Sequence, residues 1–364
     1  MSFSFDRLPF NTLVGADRKT FDRVTEGVKI DNKGKYLLTK CCQRILSPLY
    51  NINTREYNAM AKPEIVSPLF IIGHWRSGTT FVHNVLSRDP QFGYCTTYQT
   101  VFPHMMLYGS SFFKRLAGLC MPKTRPTDNL ELSVEQPQEE EFALTNMTPA
   151  AYYHFWSLPN LTEKYRDKYL FLESCTAEER AEFCEATKKM IHIALHCQNK
   201  SRFLSKNPPH TARIALLHRM FPDAKFIYLV RNPYSVFEST VKFFNTTIAP
   251  LTLQKVSAEQ VEQNILTTYR KMIDVYNRDR QTIPAHNLFQ MRFEDFEADP
   301  IAMSSQIYRS LNLGDFDSVR PEMERYVASK KRFQKNKYNY SAHTIEMVNH
   351  YCAATLNEWG YSYL

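Results

Sequence analysis

A glycine-spaced loop is the part of the sequence best suited to chemistry. It runs from Gly73 to Thr80 with the letters GHWRSGTT, directly after the apolar run Pro68 to Ile72. Its glycine spacing is that of the G-x-x-x-x-G-K-[ST] loop, whose backbone N–H groups surround an anion at the start of the next helix. Thr79 stands where that loop has its lysine, and Arg76 supplies a cation inside the loop. The sequence therefore predicts a site for a phosphate-like group.

The composition of this loop favours sulfuryl transfer over triphosphate chemistry. A triphosphate loop needs its lysine, and an acid at a strand end to hold Mg²⁺. Here the strand that could supply the acid, Phe226 to Val230, ends in Arg231. A sulfuryl group carries less negative charge than a phosphoryl group, so fixed side chains and backbone donors can stabilise it without a metal. We expect such a site to be formed by five consecutive residues: Arg76, Ser77, Gly78, Thr79 and Thr80.

No metal site is predicted elsewhere. His192 and His196 are four residues apart on a predicted helix, a spacing that can bind zinc. Neither a third ligand nor an adjoining acid accompanies them, so the expectation is that the protein uses no metal.

A second motif could hold another phosphate. Arg231 directly follows a predicted strand, and Ser239 comes eight residues later, in the second turn of a predicted helix. A guanidinium and a hydroxyl can converge on one phosphate group, and arginine can bind it through two hydrogen bonds. Taken alone, a solvated arginine would be the simpler interpretation. Together with the first loop, the pair indicates a second anion subsite.

These two motifs resemble the family of sulfotransferases that use 3′-phosphoadenosine 5′-phosphosulfate (PAPS). The loop from Arg76 to Thr80 is similar to the family's 5′-phosphosulfate loop, and Arg231 with Ser239 is similar to its 3′-phosphate pair. The segments Leu204–Pro208 with Phe221–Lys225, and Arg292–Phe296 with Asp299–Pro300, resemble the bacterial branch that also contains tyrosyl-protein relatives. The resemblance covers about residues 68 to 313. It implies a P-loop-like α/β sandwich and PAPS as the co-substrate.

The general base is less well defined by the sequence. An acceptor hydroxyl must lose its proton as it attacks sulfur, so a base must lie within hydrogen-bond reach. The tyrosyl-protein relatives have a glutamate at a position that corresponds to about Thr96 here, where no acid is found. The segment from Gln136 to Leu144 resembles an acidic helix start of the bacterial branch, with Pro137 in the first helical turn. Glu139 is the first candidate and Glu140 the second.

Other side chains could share the chemistry. His154, inside an aromatic run, is a competing base, and His104 is a weaker one. Lys206 could contact the bridging oxygen of the leaving phosphate or the 3′-nucleotide. Lys337 belongs to a basic run that begins at Lys330, which could close over the nucleotide or simply be solvated.

Two stretches without charge indicate the class of acceptor. Residues 90–113 contain mainly apolar and aromatic side chains apart from His104, and residues 142–162 are similar. They are either ordinary core or the lining of an apolar ligand pocket. We expect the acceptor to be an apolar small molecule, a sterol- or lipid-like alcohol, because a polyanionic sugar would require Lys and Arg beside the site.

The elements that must position these residues are strands alternating with helices. Apolar runs at Pro68–Gly73, Arg202–Ser205, Lys225–Val230 and Asn287–Met291 read as buried strands. Thr176 with Glu179 caps a helix to about Gln198, and Thr211 to Met220 has helical spacing. Such alternation predicts a mostly parallel central sheet covered by helices, the P-loop-like three-layer sandwich. We expect one domain over 1–364, with a helical extension (1–62), a core with the PAPS site (63–313) and a closing C-terminal segment (314–364).

Length and composition exclude several classes of protein. The chain has 364 residues, 43% of them hydrophobic, and a net charge of +8, so disorder and low complexity are excluded as its main state. No apolar run is long enough for a membrane span, the first 25 residues lack a secretory signal, and the eight cysteines form no C-x-x-C pair. A cytoplasmic enzyme is expected, with no nucleic-acid partner. The alternatives are a P-loop kinase of a small metabolite and a non-catalytic module that binds polyanions.

Overall fold

The glycine-spaced loop follows a strand of a five-stranded, fully parallel sheet. The structure is a computed structural model that describes residues 11–107, 109–120, 133–330 and 339–364. The strands follow one another along the sheet in the order β2-β3-β1-β4-β5. Their bounds are β1 Leu69–Gly73, β2 Phe92–Gly93, β3 Arg202–Lys206, β4 Lys225–Val230 and β5 Leu288–Arg292. This arrangement confirms the predicted α/β class.

The α-helices are distributed along the described residues. Their bounds are α1 Arg18–Thr25, α2 Lys33–Ala59, α3 Thr79–Leu86, α4 Thr97–Val101, α5 Ser110–Cys120, α6 Glu141–Met147, α7 Thr162–Tyr165, α8 Ala177–Gln198, α9 Ile214–Met220, α10 Pro233–Phe243, α11 Ala258–Asp279, α12 Phe293–Ala298, α13 Pro300–Leu311, α14 Phe316–Ser329, α15 Ala342–Tyr351 and α16 Ala353–Trp359. Short 3₁₀ turns cover Thr12–Gly15, Pro103–Met105, Tyr152–Trp156, Pro159–Leu161, Pro208–Arg213, Ala249–Leu251, Arg280–Thr282 and Ala285–Asn287, and π turns cover Arg166–Leu170 and Phe244–Ile248.

Contacts divide the chain into two compact units. The first comprises Met1–Glu64, Tyr94–Asn199 and Lys242–Val261, and contains α1, α2 and α4 to α8. The second comprises Ile65–Gly93, Lys200–Val241 and Glu262–Leu364, and contains all five strands.

The central strand of the sheet is the one that precedes the glycine-spaced loop. All five residues of β1 are buried, as an apolar strand between two parallel neighbours must be. It pairs with β3 on one side and with β4 on the other. From β1 the chain goes to β2, on one side of β1 in the sheet, and from β3 it goes to β4 and β5, on the other side. In open α/β sheets, ligands bind at the carboxyl ends of strands where the order of the strands reverses in this way. The topology therefore favours a site at the carboxyl end of β1.

The sequence located most elements of the sheet unit, with one correction. The predicted strands agree with β1, β3, β4 and β5 to within one residue at each end. Residues 211–220 were expected to form one helix, but Pro208–Arg213 is a 3₁₀ turn and only Ile214–Met220 is α-helical. The chain turns tightly there, with the His210 N–H donating to the Asn207 oxygen over 2.9 Å, and the 3₁₀ turn that this bond begins delays the start of α9.

Candidate active site

The loop after β1 has a backbone shape that depends on its glycines. Gly73 has φ +145°, and a Cβ there would lie 2.4 Å from the Leu229 carbonyl oxygen. Gly78 has φ +91° and precedes the first residue of α3. Arg76, although not a glycine, also adopts a left-handed backbone with φ 68°. A strained non-glycine residue at the turn of an anion loop is typical of functional sites.

The two predicted anion motifs meet in the structure. Nε of Arg76 donates a hydrogen bond to Oγ of Ser239 over 2.9 Å, although 163 residues separate them in the chain. Nη1 of Arg231 donates to the backbone oxygen of Arg76 over 3.3 Å. Two guanidinium groups and a hydroxyl therefore lie together at the carboxyl ends of β1 and β4. Such a concentration of positive charge can bind a doubly anionic ligand.

The remaining donor-site candidates lie around the same loop. Ser77 and Thr79 are buried, whereas Gly78 and Thr80 are half-buried at the start of α3. Lys206 is the last residue of β3, where it is fully buried and in register with Ile71 of β1. The structure thus gathers all the described donor-site candidates in the sheet unit. Lys337 lies outside the described residues.

Two neighbours that the sequence analysis did not assign to the site support both motifs. The Phe293 ring lies under the Arg231 guanidinium, with 4.9 Å between Cζ of Arg231 and the ring centroid. The same ring packs so tightly on Gly78 that a Cβ there would be 2.1 Å from it. Glu294 accepts hydrogen bonds from the backbone N–H of Asn232 at 3.0 Å and from the Tyr361 hydroxyl at 2.7 Å. The Arg292–Phe296 segment was recognised as part of the family resemblance, but no role could be predicted for its side chains.

Gly78→Ala should destabilise the fold by about 2–4 kcal/mol, because it combines left-handed strain with a clash against Phe293. Gly314→Ala is the matched control. Gly314 also has a positive φ, +113°, but no atom lies within 4 Å of its Cβ position. Gly314→Ala should therefore lower the free energy of unfolding by only about 1 kcal/mol, from backbone strain alone. Urea unfolding measures the free energy of unfolding of both variants. An equal loss of stability in the two would contradict the tight contact between Gly78 and Phe293.

The acidic segment begins as an extended strand rather than as a helix. Pro137 was expected in a first helical turn, but it forms an isolated antiparallel bridge with Thr96. The N–H of Gln138 donates to the Cys95 oxygen over 2.8 Å, and the N–H of Thr97 donates to the Gln136 oxygen over 2.9 Å. These backbone bonds hold the segment extended, so α6 begins only at Glu141. They also set the acidic segment beside Thr96, the position where the tyrosyl-protein relatives have their glutamate.

The three consecutive glutamates have different surroundings. Glu139 is half-buried, and its Oε2 accepts a hydrogen bond from the Tyr153 hydroxyl over 2.5 Å. Glu140 is 1% exposed, and Glu141 is fully buried with Oε1 accepting from the Tyr152 N–H over 2.9 Å. The three therefore do not form a solvated helix start. Glu139 is the member that combines partial access to solvent with a fixed orientation, as a general base requires.

The two histidine candidates lie in the same helical unit, where His154 is fully buried and His104 is largely buried. His154 is fully buried, and its Nε2 lies 3.0 Å from the Thr148 oxygen. Burial lowers the pKa of His154 to about 4, because the charged imidazolium loses its hydration. Burial also lowers the pKa of His104, which stacks on Tyr50 with 4.9 Å between ring centroids. A fully buried imidazole has no access to an acceptor, so the geometry favours Glu139 over His154.

The buried His154 should make the fold sensitive to acid. The unfolded chain protonates this imidazole below its ordinary pKa of 6.5, whereas the folded chain does so only near pH 4. Lowering the pH through this window therefore favours unfolding, by about 2–3 kcal/mol from this group. His154→Gln should flatten the dependence of unfolding free energy on pH between 6.5 and 4, measured by urea titrations. His343→Gln, at an exposed site, is the control, and equal slopes in the two variants would contradict the prediction.

Aromatic side chains pack around Glu139 in a continuous cluster. Phe142 lies edge-on to Tyr153 and Trp156, with centroid distances of 4.9 and 4.8 Å. Phe155 is half-buried, whereas Tyr152, Tyr153 and Trp156 are almost fully buried. Much of the second uncharged stretch is thus core, and Phe142 and Phe155 are its half-buried rings.

The described residues offer neither a metal-binding cluster nor a membrane-spanning helix. Within the described ranges, no group of three or more His, Cys, Asp or Glu side chains is arranged to hold a metal ion. Among the helices described above, none has the length and apolar character needed to cross a membrane.

Known proteins with similar sequences are sulfotransferases. A sequence model described as "Sulfotransferase family" matches residues 68–318. The chain is 29% identical over 294 residues to omega-hydroxy-beta-dihydromenaquinone-9 sulfotransferase Stf3 of Mycobacterium bovis, covering 81% of this chain and 75% of that protein. The protein of that name from Mycobacterium tuberculosis matches with the same values.

Solved structures with a similar fold are also sulfotransferases. The crystal structure of STF9 from Mycobacterium avium matches with a TM-score of 0.68 and 17% identity, over 94% of this chain and 96% of that one. STF1 from Mycobacterium tuberculosis matches with a TM-score of 0.64 and 18% identity, over 92% and 90%. At these identities the likeness concerns the fold.

Proposed function

The chain belongs to the sulfotransferase family, and we propose that it transfers the sulfuryl group of PAPS to a hydroxyl of a lipid-like small molecule. The products would be a sulfate ester and 3′,5′-ADP. In this reaction the acceptor oxygen bonds to sulfur, the bond from sulfur to the bridging oxygen breaks, and the acceptor proton leaves to a base. The observation that carries the proposal is the contact between Arg76 and Ser239, which joins the two anion motifs.

The assignment of PAPS as the sulfuryl donor is supported by the positively charged side chains around the loop. Arg76, Arg231 and Ser239 offer hydrogen-bond donors to anionic oxygens, and Lys206 at the end of β3 adds an ammonium. PAPS carries a 3′-phosphate and a 5′-phosphosulfate, so it needs two cationic subsites. We assign Arg76 to Thr80 to the phosphosulfate, Arg231 and Ser239 to the 3′-phosphate, and Lys206 to the bridging oxygen. Donors fixed by buried backbone stabilise the charge that develops on the leaving phosphate.

Glu139 is assigned as the general base. Its carboxylate accepts the Tyr153 hydrogen bond, which fixes the orientation of the group that takes the acceptor proton. The bridge between Thr96 and Pro137 supports this choice, since it brings the acidic segment to the position where the tyrosyl-protein relatives have their glutamate. Glu140 is the second candidate.

The acceptor class follows from the surroundings of that base. The half-buried rings of Phe142 and Phe155 offer an apolar surface beside Glu139. Stf3, the relative described above, is named for a hydroxylated menaquinone, which is an apolar molecule with a hydroxyl group. A long-chain or sterol-like alcohol suits such a surface better than a charged sugar does.

Ligand-induced stabilisation tests the donor assignment. We expect 3′,5′-adenosine bisphosphate to raise the unfolding temperature clearly, because a ligand at 100 times its Kd stabilises the native state by about 2.7 kcal/mol. AMP lacks the 3′-phosphate and should have little effect, and EDTA should change nothing. If only ATP with Mg²⁺ raised the unfolding temperature, the donor would be a nucleoside triphosphate and the proposal would fail.

A further inference from the structure

Helix α2 buries polar side chains on one side and exposes large apolar side chains on another. The residues that it buries are Thr39, Gln43, Tyr50 and Asn53. On the outside, Leu37 is 57% exposed, Leu38 is 42% exposed and Ile45 is 73% exposed. A helix at the surface of a globular protein normally has the reverse arrangement. Folding of the chain therefore does not account for these exposed leucine and isoleucine side chains.

The exposed apolar residues form one continuous face, here called the outer face of α2: Leu37, Leu38, Ile45, Leu49 and Ile52. Leu38, Ile45, Leu49 and Ile52 follow at steps of seven, four and three residues, so they share one side of the helix. Leu49 and Ile52 are partly exposed. The face is about 22 Å long, from the helical rise of its fifteen residue steps. Exposed apolar faces of this kind mark interaction sites.

The charges of α2 indicate which partner fits this face. From Lys33 to Arg55 the helix has no Asp or Glu, and its basic residues are Lys33, Lys35, Lys40, Arg44 and Arg55. Lys35 donates to the Pro250 oxygen, and Arg44 pairs with Asp22 over 2.7 Å. Lys33 and Arg55 are exposed near the two ends of the helix, and Lys40 is half-buried. Basic residues beside an apolar helix face are the pattern of helices that lie in the headgroup region of anionic membranes.

We propose that α2 attaches the protein to the surface of an anionic lipid bilayer, with its outer face inserted among the acyl chains and its axis parallel to the bilayer. This goes beyond the proposed transfer reaction, since it concerns where the enzyme works rather than what it transfers. A second copy of the chain is a less suitable partner. A symmetric pairing of two such helices would bring five basic residues of each together, and the one acid of α2, Glu56 near its C-terminal end, cannot balance them.

Vesicle flotation with the full chain tests the proposal without PAPS or an acceptor. We expect the protein to float with vesicles of equal parts phosphatidylcholine and phosphatidylglycerol, and much less with phosphatidylcholine alone. The double variant Leu37→Ser with Ile45→Ser should bind at least about tenfold more weakly, because it removes two inserted side chains. Lys33→Gln should weaken binding about fivefold, the effect of one basic residue near an anionic surface. The matched control is Val66→Ser, at a similarly exposed apolar residue in the other unit, which should bind as the wild type does.

The outcomes separate the alternatives. Failure of the wild type to bind either vesicle, or equal binding by the wild type and the double variant, would overturn the proposal. It would also be overturned if the wild type sedimented as a dimer and the double variant as a monomer, since the outer face would then join two chains. Because flotation requires no turnover, loss of sulfuryl transfer in a separate assay would bear on the proposed function and not on this attachment.

Discussion

Arg76→Ala should reduce sulfuryl transfer by about 10²–10³-fold, the effect typical of removing one fixed donor from a transition-state site. The loss is expected to be large because this guanidinium lies in the anion loop and also contacts Ser239 of the second motif. Arg76→Lys keeps the charge but loses the planar set of donors, so it should recover only part of the rate. Initial rates with saturating acceptor measure both variants.

The control for this prediction is Arg219→Ala, which removes an exposed arginine from α9 and should leave the rate unchanged. Unfolding by urea should give similar stabilities for the wild type and Arg76→Ala, since Arg76 is half-buried and does not belong to the core. If Arg76→Ala kept most of the wild-type rate, the loop would not bind the transferred group. A diffuse polyanion-binding surface would show that result, because one charge among many contributes little.

Glu139→Gln should lower kcat by about 10²–10⁴-fold while binding of 3′,5′-adenosine bisphosphate stays unchanged. The amide keeps the size of the side chain and can still contact Tyr153, but it cannot accept a proton at neutral pH. Tyr153→Phe should lower kcat by only about fivefold, because it removes one hydrogen bond that orients the base. Single-turnover rates and calorimetric binding of the bisphosphate separate the two effects.

The matched control is Glu135→Gln, which makes the same change at an exposed residue of the same segment and should have no effect. Glu140→Gln distinguishes the second candidate. If Glu140→Gln lost the activity and Glu139→Gln kept it, the proton would go to Glu140 and our assignment would be wrong. His154→Gln should retain activity at neutral pH, since the imidazole is fully buried.

The sheet and the loop could be predicted because their signals are local. An apolar run followed by a glycine-spaced turn located β1, and the Thr176–Glu179 capping box located the start of α8. The two anion motifs were also recognised from short patterns. What local patterns cannot supply is the contact of Arg76 with Ser239, because that contact depends on how β1 and β4 pair in the sheet.

The errors and omissions have the same physical origin. Pro137 was expected in a helix because proline suits a first turn, yet backbone hydrogen bonds to residues about forty positions earlier hold it extended. Phe293 belongs to a recognised segment, but its position under Arg231 and against Gly78 depends on β5 lying next to β4. The outer face of α2 is a further example. Periodicity alone would direct its leucines inward, whereas the structure buries Gln43 and Asn53 instead.

The most direct test of the central claim is transfer of labelled sulfonate from PAPS to a lipid alcohol. The purified chain would be incubated with PAPS labelled in its sulfonate and with a panel of sterols, polyprenyl alcohols and sugars, with EDTA present. We predict that label enters the organic extract with the sterol- or polyprenyl-type alcohols, together with an equal amount of 3′,5′-ADP, and that Arg76→Ala abolishes both. Label found only in the sugars would contradict the acceptor class, and no transfer with any acceptor by a folded protein would contradict the proposed reaction itself.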